Sequence, residues 1–171
     1  MKTKNKVDSI LKKTFFAIIL PFLMISIVSC FTLKKSATGV SDAERQLLLS
    51  SGLPLAIFEY SSGNPNSAGG VSVFIDWQNI SEKEIKYLTF TVVPYNRVND
   101  IAPSSIGNTI EAHLRATGPF SSNHIQKNTG YRNVWYNSTI SYIKIVGIEI
   151  IYMDDETLVF DENQILKMII K

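Results

Sequence analysis

A chain of 171 residues with 17 basic and 15 acidic side chains has room for one domain with a substantial core, and too little for two. Residues 1–29 hold five of the basic residues and one of the acidic, so residues 30–171 carry 12 against 14. That removes the basic excess on which a nucleic-acid partner depends, and a single cysteine, Cys30, excludes an intramolecular disulfide.

The first thirteen residues contain five lysines, and residues 15–28 form an apolar run interrupted by Pro21. Its fourteen residues fit the ~7 to 15 of an export signal and fall short of the ~20 that a spanning helix needs. The run closes on Ile27-Val28-Ser29-Cys30. A branched residue three before a cysteine and a small residue just before it resemble the lipobox of bacterial lipoproteins. The resemblance implies cleavage after Ser29, a diacylglyceryl thioether on Cys30 and an acylated amino terminus, with palmitate the kind of chain involved and no other cofactor. Two or more such chains, at about 0.8 kcal/mol per buried CH₂, attach a protein to a bilayer stably, whereas one does so reversibly. The alternative is an ordinary signal peptide or an uncleaved anchor in which Cys30 is incidental. Phe31 stands where an aspartate would resemble an inner-membrane retention signal. The expected location is therefore the cell membrane or an outer membrane, with the domain facing periplasm or exterior.

Residues 30–40 read as a lipidated, disordered tether, since Lys34, Lys35, Ser36, Thr38 and Gly39 give no apolar period. Ser41-Asp42-Ala43-Glu44 matches a capping box and opens a short helix ending near Gly52. Strands follow. Residues 55–60 are apolar and aromatic, and 61–70 form a loop rich in Ser, Gly, Asn and Pro. Val71, Val73, Ile75 and Trp77 alternate with Ser72, Phe74, Asp76 and Gln78, giving one strongly apolar face. A turn at 79–84 leads into a long strand over 85–95, with Leu88, Phe90 and Val92 on one face and Pro94 at its edge or end. After a loop at 96–107, Ile110, Ala112, Leu114 and Ala116 alternate in a strand that stops at Gly118-Pro119. Residues 131–136 and the isoleucine-rich 139–152 are further strands, the second pairing with 157–160 across a turn at Asp154-Asp155-Glu156. Residues 161–171 favour a helix opened by Asp161 with Gln164 three residues on. Six or seven short strands with almost no helix between them give an all-β, antiparallel sandwich over 41–171.

The run Trp77-Gln-Asn-Ile-Ser-Glu-Lys-Glu-Ile-Lys-Tyr87, with Val93-Pro-Tyr-Asn96, Thr117-Gly-Pro119 and Trp135-Tyr-Asn-Ser-Thr-Ile140, resembles small immunoglobulin-like domains of the FxLYD type in bacterial surface proteins and lipoproteins. The resemblance covers residues 55–155. It implies an immunoglobulin-like β-sandwich in the cell envelope and brings no catalytic residues with it. Some relatives have cysteines where Ser104 and Tyr142 stand, so the resemblance implies that the loop after Asn96 is less constrained here. The same residues also have a direct reading. Asn79 and Ser81 suit backbone hydrogen bonding in a tight turn, and Trp77 and Phe90, taken as neighbours on adjacent strands, suit a shared core.

His113 and His124 are the only histidines, and with Cys30 lipidated no thiolate remains for a Cys/His zinc site. Asp154, Asp155 and Glu156 lack the spacing and glycine of a calcium loop. No G-x-S-x-G elbow, S-x-x-K pattern, phosphate loop or dinucleotide fingerprint occurs. The sequence thus offers no catalytic residue and no metal ligand set. Asn79-Ile-Ser81 and Asn137-Ser-Thr139 match glycosylation acceptors but read more simply as turns. Aromatic residues near loops suit protein or glycan contacts, and Tyr95, Tyr131, Trp135 and Tyr136 form the candidate surface at one end of the sandwich. The expected function is a membrane-anchored, non-enzymatic envelope lipoprotein that binds or scaffolds another envelope component. The alternatives are a hydrolase or metal enzyme with a site assembled from dispersed residues, and a structural lipoprotein without a specific ligand.

Overall fold

The computed structural model describes residues 39–170. The expected signal peptide, the lipobox residues Ile27, Val28 and Ser29, Cys30 and the tether as far as residue 38 lie outside the described residues. Within them the chain runs α1 (Asp42–Ser50), β1 (Leu55–Ser62), β2 (Gly70–Asn79), β3 (Ile85–Tyr95), β4 (Ala112–Phe120), β5 (Ile125–Gln126), β6 (Gly130–Tyr136), β7 (Tyr142–Tyr152), β8 (Thr157–Asp161) and α2 (Glu162–Met168). Among the described residues no helix is long and apolar enough to cross a membrane.

Two antiparallel sheets enclose one core. Sheet A places β2 between β1 and a broken third strand, β5 alongside one end of β2 and β6 alongside the other. Sheet B has the order β4-β3-β7-β8. The period-two pattern delivers the facing layers: Val71, Val73, Ile75 and Trp77 from β2 and Leu88, Phe90 and Val92 from β3 are all buried. Trp77 and Phe90 do share the core, but from opposite sheets, because the chain changes sheet between β2 and β3. From α2, Ile165 and Met168 join the core, and Ile170 N–H then bonds Ile57 O at 2.9 Å, covering the free edge of β1 with a parallel bridge between Ile57 and Ile169.

Bulges decide which residues of the long strands turn inward. Opposite Thr91 and Val92 on β3 stand Gly147 and Ile145, so one extra β7 residue separates the pairs. The slip shifts the phase of β7, which is why both Ile143 and Ile145 before it and Ile148 and Ile150 after it are buried. The strand expected to stop at Gly118-Pro119 instead runs through them to Phe120 by the same device. Ile85 and Tyr87 face Phe120 and Thr117, which leaves one extra residue on β4. As an edge strand, β4 accommodates Pro119 without losing a ladder bond. Ile110, expected to lead that strand inward, lies outside it and is 41% exposed. The strand β7 begins at Tyr142, not Thr139, because Asn137 folds residues 137–141 into a turn by accepting from Thr139 N–H and Oγ1 at 2.9 and 2.8 Å.

Both capping boxes form, at Ser41 with Glu44 and at Asp161 with Gln164. The expected tether is corrected at its end. Gly39 and Val40 are docked, Val40 N–H donating to Gln78 Oε1 at 2.9 Å, and this covers an otherwise outward glutamine. The loop after Asn96 is tied down without a disulfide: Ser104 Oγ accepts from Tyr136 N–H at 3.1 Å, Asn137 Nδ2 donates to Pro103 O at 2.8 Å, and Tyr142 bonds Asn99 at 2.9 Å.

At the end where β2 leaves sheet A, Asn79 is 0% exposed and fully engaged. Its Nδ2 donates to Lys83 O at 2.9 Å and to Phe120 O and Ser121 O at 3.1 Å, while Oδ1 accepts from Ser81 Oγ at 2.7 Å and Ser81 N–H at 3.1 Å. The backbone of Asn79 adds bonds to His124 O and from Asn123 N–H. Replacing it with alanine strands several buried carbonyls, so Asn79→Ala is expected to cost about 3 kcal/mol in urea unfolding. Asn79→Asp should be no better, since a carboxylate cannot donate to those carbonyls, and Asn137→Ala should cost about 1 kcal/mol.

Candidate functional site

The four aromatic residues expected at one end do not form a single surface. Trp135 is 0% exposed, its indole N–H donating to Ile110 O at 3.2 Å, and it belongs to the core. The alternation of β6 turns it inward opposite Val71. Tyr131 lies further along β6, half-buried in a cleft between the edge of β4 and the edge formed by β5 and β6, where burial pushes its hydroxyl pKa up. Only Tyr95 and Tyr136 sit at the expected end. Tyr95 stacks on Tyr142 at 5.3 Å with an 11° interplanar angle, and the Lys144 ammonium lies 4.9 Å above its ring.

That end carries a cleft of about 480 Å³ between residues 62–65, 96–98 and 138–141. Its walls are turns, and Arg97 supplies its one charged side chain. The loop beside it exposes Val98, Ile101, Ile106 and Ile110.

The opposite end holds His124 and the Asp154–Glu156 turn, and these groups and His113 each have a local partner. His124 packs on Phe120 and Trp77 at 5.0 and 5.8 Å and faces Gln126 Oε1 at 3.3 Å, whereas His113 faces Thr91 Oγ1 at 3.1 Å on the far side of sheet B. Lys83 bridges Asp154, at 2.6 Å, and Glu156, and Lys86 pairs with Asp155 at 2.7 Å. Hydrogen bonds to Asp154 and then Glu156 hold the Lys83 ammonium well above the usual lysine range. The hydrogen bond from Lys83, then that from Glu156 N–H, holds Asp154 below the usual carboxylate value. No group of three or more metal-ligating side chains converges among the described residues.

A feature the sequence reading passed over lies on the outer face of sheet A. Phe74, counted there with the polar side of β2, is 40% exposed in the middle of that face. Three glycines lower the surface around it. A methyl group at Gly130, its cross-strand partner, would meet the Phe74 ring at 2.5 Å, and one at Gly63 would meet it at 3.2 Å. At Gly70 a methyl would meet Asn133 Oδ1 at 2.5 Å and Asn66 Nδ2 at 2.8 Å, the two halves of an amide pair bonded at 2.9 Å. The ring and the amide pair therefore lie low across the sheet. Two residues of β2, from Val71 to Val73, span four of β6, from Trp135 to Tyr131, and this bulge brings Arg132 and Asn133 onto the same face. The available signal was one large aromatic residue on the polar side of an alternating strand; nothing local marked Gly130, 56 residues on, as its partner.

No family model, curated protein or solved structure matches this chain.

Trp135→Ala is expected to cost about 3–5 kcal/mol in urea unfolding, the cost of a core cavity and not of a lost contact. The Lys83 clamp gives a pH signature. A raised lysine pKa stabilises below 10.5 and is lost as pH rises through the folded value; a lowered aspartate pKa stabilises above 3.8 and is lost as pH falls through its own. The thermal midpoint difference between wild type and Lys83→Met should therefore be level between these limits and shrink outside them.

Proposed function

We propose that the protein is a lipid-anchored, non-enzymatic module of the bacterial cell envelope that binds another envelope component through an immunoglobulin-like β-sandwich. The observation that carries this reading is the sequence Ile27-Val28-Ser29-Cys30 at the end of a fourteen-residue apolar run, nine residues before Gly39, the first described residue. Nine residues reach at most about 30 Å. The domain is entered at the Asn79 end of sheet A, where Val40 is fixed to Gln78. The 62–65, 96–98 and 138–141 turns lie at the other end of the ten-residue strand β2.

The non-enzymatic part of the reading is supported by the surroundings of the two histidines, whose hydrogen bonds go to Thr91 and Gln126. Lysine pairing of the Asp154–Glu156 turn supports a structural role for those carboxylates.

Globomycin treatment of expressing cells is expected to accumulate the unprocessed chain, and mass spectrometry of the mature protein to find an acylated cysteine at its amino terminus. Cys30→Ser should abolish both the lipid and membrane retention. Release of the wild-type protein by a salt wash, with a free thiol, would overturn the anchor. Cross-linking in native envelopes is expected to enrich one component over a lipobox-only control, and failure to do so would overturn the binding role.

A further inference from the structure

The outer face of sheet A combines an exposed ring with charged and amide groups on either side of it. Glu59 and Asp76 are direct cross-strand partners, so two carboxylates occupy adjacent positions on one face. Like charges directly opposite in a sheet destabilise it. Asp76 accepts from Asn128 N–H at 2.9 Å, while Glu59 has no hydrogen-bond or ion-pair partner among the described residues. On the other side of the Phe74 ring stands Arg132, exposed and likewise without a partner among the described residues, beside the Asn66–Asn133 amide pair. A cleft of about 440 Å³ lies on the Arg132 side and one of about 170 Å³ on the Glu59 side, and both are lined by Phe74 and Asn128. The two form one groove with the ring in its floor.

The chemistry of the groove selects its occupant. A flat apolar floor asks for a flat apolar face; two carboxylates ask for hydroxyl donors; a guanidinium with amides asks for oxygen acceptors. A pyranose ring supplies all three, with axial C–H groups on one face and hydroxyls around its rim that both donate and accept. A nucleic acid is repelled by Glu59 and Asp76. A lipid tail has nothing to give the carboxylates, and an added peptide strand would use a sheet edge, not a face whose strands are already paired.

We infer that the groove across Phe74 is a saccharide-binding site, the pyranose ring stacking on Phe74 with its hydroxyls donated to Glu59 and Asp76 and its oxygens facing Arg132. Gly130 and Gly63 are part of the site, because a side chain at either would meet the Phe74 ring where it now lies. Gly39 and Val40 cover Gln78, the outward residue of β2 beyond Asp76, and leave Asp76 and Phe74 open. This assignment rests on the binding-module reading and gives that module a ligand class, but does not depend on the anchor.

The test is titration of the full chain, purified in detergent, with tetrasaccharides of glucose, galactose, mannose and N-acetylglucosamine, followed by tryptophan fluorescence and calorimetry. Saturable binding to one or more is expected. Phe74→Ala should weaken it about tenfold or more and Phe74→Trp should retain it. Gly130→Ala keeps the ring but tips it off the sheet and should weaken binding about as much as Phe74→Ala, with little change in unfolding midpoint. Val159→Ala, on the outside of sheet B, is the control and should bind as wild type. Absence of binding to all four, or binding that Phe74→Ala and Gly130→Ala leave unchanged, would overturn the site. A protein cross-linked in native envelopes through a probe at residue 74, with no saccharide bound, would overturn the saccharide while leaving the binding module standing.

Discussion

One buried amide organises the end of the molecule at which the two sheets join. In a chain with a single cysteine no covalent staple holds the sheets together, and the crossing from β2 to β3 is secured by Asn79. Its side chain is a local lock on the turn, through Ser81 and Lys83, and a long-range one, through Phe120 and Ser121 on the way from β4 to β5. A buried polar group of this kind is stabilising only when complete, because each unpaired partner retains its desolvation cost. Here every hydrogen-bonding atom of the amide is used, and Trp77, Phe120 and His124 pack beside it. The glycosylation reading of Asn79 falls with its burial, since no enzyme reaches an amide with no exposed surface.

From that fixed end the alternation of β2 runs the full depth of the sandwich, and its two faces have different uses. The odd residues build the core with Phe90 and the isoleucines of β7. The even residues lie on the outer face, where Gln78 is covered by the arriving chain while Asp76 and Phe74 are left open. What makes the outer face unusual is the absence of side chains at Gly63, Gly70 and Gly130. Side chains at Gly63 and Gly130 would meet the Phe74 ring, and one at Gly70 the Asn66–Asn133 pair, so the shape of this surface depends on glycine at all three positions.

Three surfaces therefore differ in character. The turns at 62–65, 96–98 and 138–141 form a wide, mostly backbone-walled cleft with exposed aliphatic residues beside it. At the Asn79 end lies a lysine-neutralised acidic turn, stabilising within a broad pH range and occupied by its own partners. The outer face of sheet A holds a ring, two opposed carboxylates and a guanidinium without a partner among the described residues. In this last place charged groups of both signs flank an exposed aromatic ring, a combination suited to recognition.

Local rules account for what the sequence by itself determined. Period-two runs marked the strands and the buried side of β2 and β3; Ser41 and Asp161 marked both helix starts; Asn79 and Ser81 marked their turn. Each of these depends on residues a few positions apart, whose chemistry the chain displays directly. The tertiary structure alone decided the rest. Trp135 went to the core because pairing with the distant β2 set it opposite the buried Val71, and Ile110 to the surface because the ladder with β3 reaches only to Ala112. The tether's end was docked because Gln78, outward on its strand, offered Val40 an acceptor. Phe74 became a floor and not a stray apolar residue because Gly130, 56 positions away, was placed opposite it. Register is a property of strand pairs, and no single strand carries it.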